Sequence, residues 1–126
     1  MDAVTRVRHV DLHRLAHGRA GDKGDRLNVS VIAYRPEFYP LLVEQVTVDR
    51  VRALFADRKP GAIARYELPR LGALNFVLDN VLDGGVNASL NLDGHGKSLS
   101  FRLLELAIAV DDETMERIRN IREEIP

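Results

Sequence analysis

Between Ala16 and Asn28 the chain reads Ala-His-Gly-Arg-Ala-Gly-Asp-Lys-Gly-Asp-Arg-Leu-Asn, its densest interleaving of glycine, cation and carboxylate. Gly18, Gly21 and Gly24 remove side chains from the path of an approaching molecule and admit backbone conformations closed to other residues. Arg19 offers a planar fork of donors and Lys23 a compact point charge. Successive backbone N–H groups in such a stretch can close around an anion, so a phosphate or carboxylate is the expected ligand. Arg19, Gly21, Lys23, Gly24 and Asn28 are the candidate binding residues. The alternative is a long solvated hairpin loop whose charges pair with one another.

His17 begins the same stretch, and a pairing with Asp22 or Asp25 would suit general acid–base work near neutral pH. These three are the candidate catalytic residues. Gly96-Lys97-Ser98 copies the end of a nucleotide-binding loop, but that loop needs glycine five positions before Gly96, where Asn91 stands. Nucleotide hydrolysis is therefore not expected, although a turn carrying Lys97 could hold one phosphate. His9, Asp11 and His13 alternate along an expected strand; the first and last lie about 13 Å apart, too far to close on one ion. No metal site is assigned. Asn75 sits in an apolar run, where an amide needs a partner. If Asn75 and the Asn87, Ser89, Asn91 row converge on Arg19 and Lys23, they would add neutral hydrogen bonds beside the anion.

Arg19-Ala20-Gly21-Asp22-Lys23-Gly24-Asp25 with Asn28, Leu68-Pro69 with Ala73-Leu74-Asn75-Phe76-Val77-Leu78, and Asp93-Gly94-His95-Gly96-Lys97 together resemble the C-terminal domain of the acyclic terpene utilisation (AtuA-like) family. The resemblance runs from about His9 to Val110 and departs at Ala20, where many relatives carry Ser. It implies a ferredoxin-like α+β domain and a place in acyl-CoA catabolism of branched or terpenoid acids. In the larger members this domain follows a long N-terminal region, so a separately encoded AtuA-like large polypeptide is an expected partner.

The elements that must hold these residues fit one domain. At 126 residues the chain can bury a continuous core without staples. It has no cysteine, which excludes disulfides and thiolate-bound clusters, so "ferredoxin-like" describes topology alone and no cofactor is expected. A formal net charge of -1 exerts no global pull toward nucleic acid or anionic membrane. No apolar stretch is long enough to span a bilayer and no leader pattern opens the chain, so a cytoplasmic protein is expected.

The period of two predicts strands over Arg8 to Leu15, Leu27 to Tyr34, Ala62 to Leu68 and Val86 to Leu92. Pro36 starts a helix with Phe38, Leu41, Leu42 and Val46 on one side, bent at Pro40, and Thr47 caps a second. A further helix is expected at about Leu71 to Leu82, ending at Gly84-Gly85, and a short one near Lys97 to Leu104 before a strand over Leu106 to Val110. Asp111-Asp112 caps a last helix over about 111–125 with a narrow stripe of Met115, Ile118, Ile121 and Ile125. The sum is a two-layer sandwich, a sheet of about five strands with helices mainly on one face and a core over about 9–110.

Three readings of function stand side by side: an accessory or small-molecule-binding subunit in acyl-CoA catabolism whose anionic ligand is an acyl-CoA; a small stand-alone acyl-CoA hydratase or isomerase using His17 or a loop Asp; and an assembly domain without ligand. The narrow stripe of the last helix suits a helix–helix seam, so a homo-oligomer, dimer or higher, is expected as well.

Overall fold

The computed structural model describes residues 7–23, 26–79 and 102–124. Strand β1 (Arg8–Asp11) pairs antiparallel with β6 (Ala107–Val110), with Val10 opposite Ile108 on the buried side. The remaining four strands, β2 (Ala16–Lys23), β3 (Arg26–Ala33), β4 (Ile63–Leu68) and β5 (Ala73–Leu78), form an antiparallel sheet in the order β2-β3-β5-β4. One face carries Leu27, Val29 and Val31 of β3 and Leu74, Phe76 and Leu78 of β5. Against it pack Leu42 of α1 (Tyr39–Gln45), Val51 of α2 (Val48–Leu54), Phe55 just beyond it, and Ile118 and Ile121 of α3 (Asp112–Glu124). The result is an α+β sandwich of two layers with helices on one face. The described strands make two sheets, of four and of two strands, where one sheet of about five was expected.

Local chemistry explains the helix ends. The Thr47 hydroxyl accepts from the Arg50 amide at 3.2 Å and the Asp111 carboxylate from the Thr114 amide at 2.7 Å, both satisfying donors that lack a partner in the first turn. Pro36 opens a 3-10 turn, Pro36–Phe38, and Pro40 lies in the first turn of α1, where its missing N–H costs nothing; the one helix expected from Pro36 is divided into these two elements. The Gln45 side-chain amide locks α1 onto β6: Nε2 donates to the Ala109 carbonyl and Oε1 accepts from its N–H, each at 2.7 Å. Arg50 adds bonds to the carbonyls of Gln45 and Ala107. Arg65, on the helix side of β4, donates through Nη1 to the Val43 and Val46 carbonyls at 2.9 Å and through Nη2 to Glu67 at 2.7 Å.

Several expectations need correction. The first strand stops at Asp11, and Leu12–Arg14 is a 3-10 turn that drops Leu12 and Leu15 into the core. Ala16 to Lys23 is a strand, not a loop: Ala16, Gly18 and Ala20 face the core side and His17, Arg19 and Gly21 alternate with them. Gly18 lies beneath Leu104, where an added Cβ would sit 3.5 Å from a Leu104 methyl, an ordinary contact. The helix expected at Leu71 to Leu82 is instead a 3-10 turn, Pro69–Leu71, a left-handed Gly72 (φ 62°) and strand β5. Gly72 turns the chain back onto β3, and Leu74, Phe76 and Leu78 then fill one face by the period of two. In the last helix Ile118 and Ile121 lie in the domain's own core with Met115 packed against it, so most of this stripe is not a free seam. Residues 102–104 are helical and β6 follows, as expected. The expected strand over Val86 to Leu92, the Gly84-Gly85 cap, the turn around His95 and Lys97, and Gly24 and Asp25 lie outside the described residues.

Candidate functional site

The sheet face away from the helices carries the polar residues. Antiparallel partners share a face, so the register places Gly21, Asn28, Val77 and Ala64 in one row across the four strands and Arg19, Ser30, Asn75 and Tyr66 in the next. The first row is short in the side-chain direction. A Cβ on Gly21 would meet nothing within 4 Å, which leaves a notch opposite Asn28. Arg19, Gly21, Arg26, Asn28, Ser30 and Val77 line the resulting open concavity of about 570 Å³.

Its polar groups are ordered by one amide. Asn75 Nδ2 donates to Asn28 Oδ1 at 2.6 Å and to Ser30 Oγ at 2.8 Å, joining residues of β3 and β5 that lie far apart in the chain. Because that oxygen of Asn28 is engaged, its –NH₂ is the part left to donate to a ligand. Arg26 is neutralised at the rim by Asp79, Nε to Oδ1 at 2.6 Å. Arg19 is exposed and has no hydrogen-bond or ion-pair partner among the described residues. Among the described side chains, the face thus offers Arg19 as an uncompensated cation beside neutral donors, which suits an acceptor-rich anion.

Four of the seven candidate binding residues, Arg19, Gly21, Asn28 and Asn75, meet here. Lys23 ends the same strand opposite Arg26 and is described by its backbone alone; Gly24 and Lys97 lie outside the described residues. Asn75 arrives on a strand, not on the helix expected for it. Ser30, Arg26 and Asp79 were not anticipated, although the Asn28–Ser30 spacing on a strand with Val29 and Val31 buried was a readable signal.

Of the candidate catalytic residues, His17 and Asp22 are not brought together. His17 is exposed and stacks on Tyr34, with centroids 5.4 Å apart and planes at 25°. Asp22 lies five residues farther along the extended strand, a separation of about 17 Å, which is too great for a direct hydrogen bond. Asp25 lies outside the described residues. His13 Nε2 lies 3.6 Å from Asp11 Oδ2, both exposed, and among the described residues no group of three His, Asp or Glu could hold a metal. Nor, among them, is any helix long and apolar enough to cross a membrane.

No curated protein and no solved structure matches this chain. The sequence signature of the AtuA ferredoxin-like domain does match, over residues 10–109, which takes in every described strand but a few end residues and the whole concavity. With most of its length inside that match and an α+β sandwich of the kind the description names, the chain belongs to the AtuA ferredoxin-like domain family.

Proposed function

We propose that this domain is an accessory, small-molecule-binding subunit in acyl-CoA catabolism of terpenoid or branched acids, acting with a separately encoded AtuA-like large polypeptide. The observation that carries the reading is Arg19, a cation without a partner among the described residues, beside the Asn28, Ser30 and Asn75 row on a solvent-facing sheet. An exposed arginine in that setting costs nothing to leave unpaired and gains most from an incoming anion. The metabolic context is what the resemblance to the AtuA-like family implies, and membership of the AtuA ferredoxin-like domain family supports that reading. The helical stripe suggested for self-association is largely occupied in the core, so a homo-oligomer would use another surface.

Amide NMR during titration with phosphate, acetate and coenzyme A tests the ligand half of the proposal. Saturable shifts at Arg19, Gly21 and Asn28 that vanish in Arg19→Ala are expected; shifts at none of them up to millimolar anion refute it. Affinity capture of the chain from cells tests the partner half, with recovery of an AtuA-like large polypeptide expected and its absence under gentle lysis counting against the subunit role.

A further inference from the structure

The described side chains around the concavity carry a charge count, a donor pattern and a shape, and all three narrow the ligand. Arg26 is cancelled by Asp79, and among the described side chains that line the concavity Arg19 is the cation without a partner, so one negative charge is what these described groups balance. The donors are a planar guanidinium and the –NH₂ of Asn28, which Asn75 fixes by occupying the Asn28 oxygen. A donor-only pair of planar groups fits the two in-plane oxygens of a carboxylate better than a tetrahedral dianion. The floor continues from the Gly21 notch to Val77, an apolar side chain in the same row. Three strand spacings separate β2 from β4, about 14 Å, so an elongated molecule anchored at β2 would lie along that row toward Ala64.

Resting on the anion site proposed above, we infer that its ligand class is the free monocarboxylate with a short apolar tail, the carboxylate held by Arg19 and Asn28 and the tail lying over Gly21 and Val77. Asn75 touches no ligand in this arrangement and is a positioning residue for the Asn28 amide.

The test is a series of amide and side-chain NMR titrations of the full chain with acetate, butyrate and hexanoate, set beside inorganic phosphate and coenzyme A at the same ionic strength. Affinity is expected to rise along the carboxylate series, by up to roughly fourfold for each methylene that the row buries. The Val77 methyl signals should move with the longer acids and not with acetate. Arg19→Gln, a change at an exposed residue with no partner among the described residues, should weaken butyrate binding at least tenfold while leaving the spectrum of the free protein intact. Asn75→Ala should weaken it severalfold and abolish the ligand-induced shift of the Asn28 –NH₂ while leaving the Arg19 response in place, an outcome that general loosening of the sheet would not give. Should phosphate or coenzyme A bind at Arg19 more tightly than every carboxylate, the carboxylate assignment is overturned and the anion site stands. If no anion in the set shifts these residues, both fail. A flat affinity from acetate to hexanoate overturns the tail placement and with it the assignment.

Discussion

Replacing Arg65 by Met isolates what a buried guanidinium does beneath the sheet. The Met side chain keeps most of the apolar stem and removes the fork, whose Nη1 reaches the Val43 and Val46 carbonyls at 2.9 Å and whose Nη2 reaches Glu67 at 2.7 Å. Hydrogen bonds to a charged group contribute about 1.5–3 kcal/mol each, and the two carbonyl bonds share one nitrogen, so their joint loss is put near the lower end, at roughly 3 kcal/mol. The ion pair adds little. Arg65 is 18% exposed but Glu67 is 50% exposed, and pairs with a solvated member contribute under about 1 kcal/mol. Arg65→Met should therefore lower the free energy of unfolding by about 3 kcal/mol and Glu67→Gln by less than about 1 kcal/mol. In a domain of this length that is a fall in Tm of roughly 10 °C for the first variant and about 3 °C or less for the second. Urea unfolding of both variants and of the double variant measures the terms, with unchanged slopes as the sign that the same surface is exposed. Equal losses for the two single variants, or an Arg65→Met protein within 0.5 kcal/mol of the parent on the scale of a neutral surface change, would refute the assignment of Arg65 as the support of the α1 carboxyl end.

Three further outcomes are expected. Gly72→Ala should cost about 1 kcal/mol or somewhat more in urea unfolding, because φ is 62° there while the added Cβ would lie 3.9 Å from the Ala33 Cβ, an ordinary contact, so the penalty is the backbone's and not a clash. Gly21→Ala, where an added Cβ meets nothing, should leave stability within about 0.5 kcal/mol of the parent and still weaken carboxylate binding by filling the notch, both read from one sample by unfolding and titration. The Asp111 carboxyl is held below the ordinary aspartate value, first by the hydrogen bond from the Thr114 amide; that contribution is present above the unfolded-state pKa and is lost as pH falls through the folded one. The Thr114 amide shift followed to low pH should trace this loss, and Asp111→Asn should remove the acid step.

What could be read in the sequence was whatever large apolar residues or caps write openly. Val29 and Val31 alternating with Asn28 and Ser30, Thr47 before Val48, and Asp111 before α3 all stand where expected. Strand β2 escaped notice because the residues on its core side are the small Ala16, Gly18 and Ala20, so their alternation with His17 and Arg19 looks like a loop's composition. Strand β5 escaped because Leu74, Phe76 and Leu78 also fit a buried helix, and only the left-handed Gly72 and pairing with β3 decide between the two. The same limit governs the site. Arg19, Gly21 and Asn28 drew attention by their local chemistry, but the amide that orders them comes from Asn75, 47 residues from Asn28, and its arrival depends on a strand register that no local pattern encodes. The pairing of His17 with Asp22 was misleading for the converse reason: closeness in sequence becomes distance once the segment is extended.

The Gln45 amide against Ala109 has a consequence for association. A strand at the border of a sheet normally presents unpaired N–H and C=O groups, and those groups recruit any extended segment that comes near, including the same segment of another copy. Gln45 carries on its side chain the same donor and acceptor that a neighbouring strand would bring, and it spends both on Ala109, while Arg50 takes the carbonyl of Ala107. The outer border of β6 is thereby closed by side chains from the α1–α2 corner, and a foreign strand would have to displace two hydrogen bonds from one amide before forming its first. In the folded chain, that border of the two-stranded unit is guarded against pairing with a strand from a second copy.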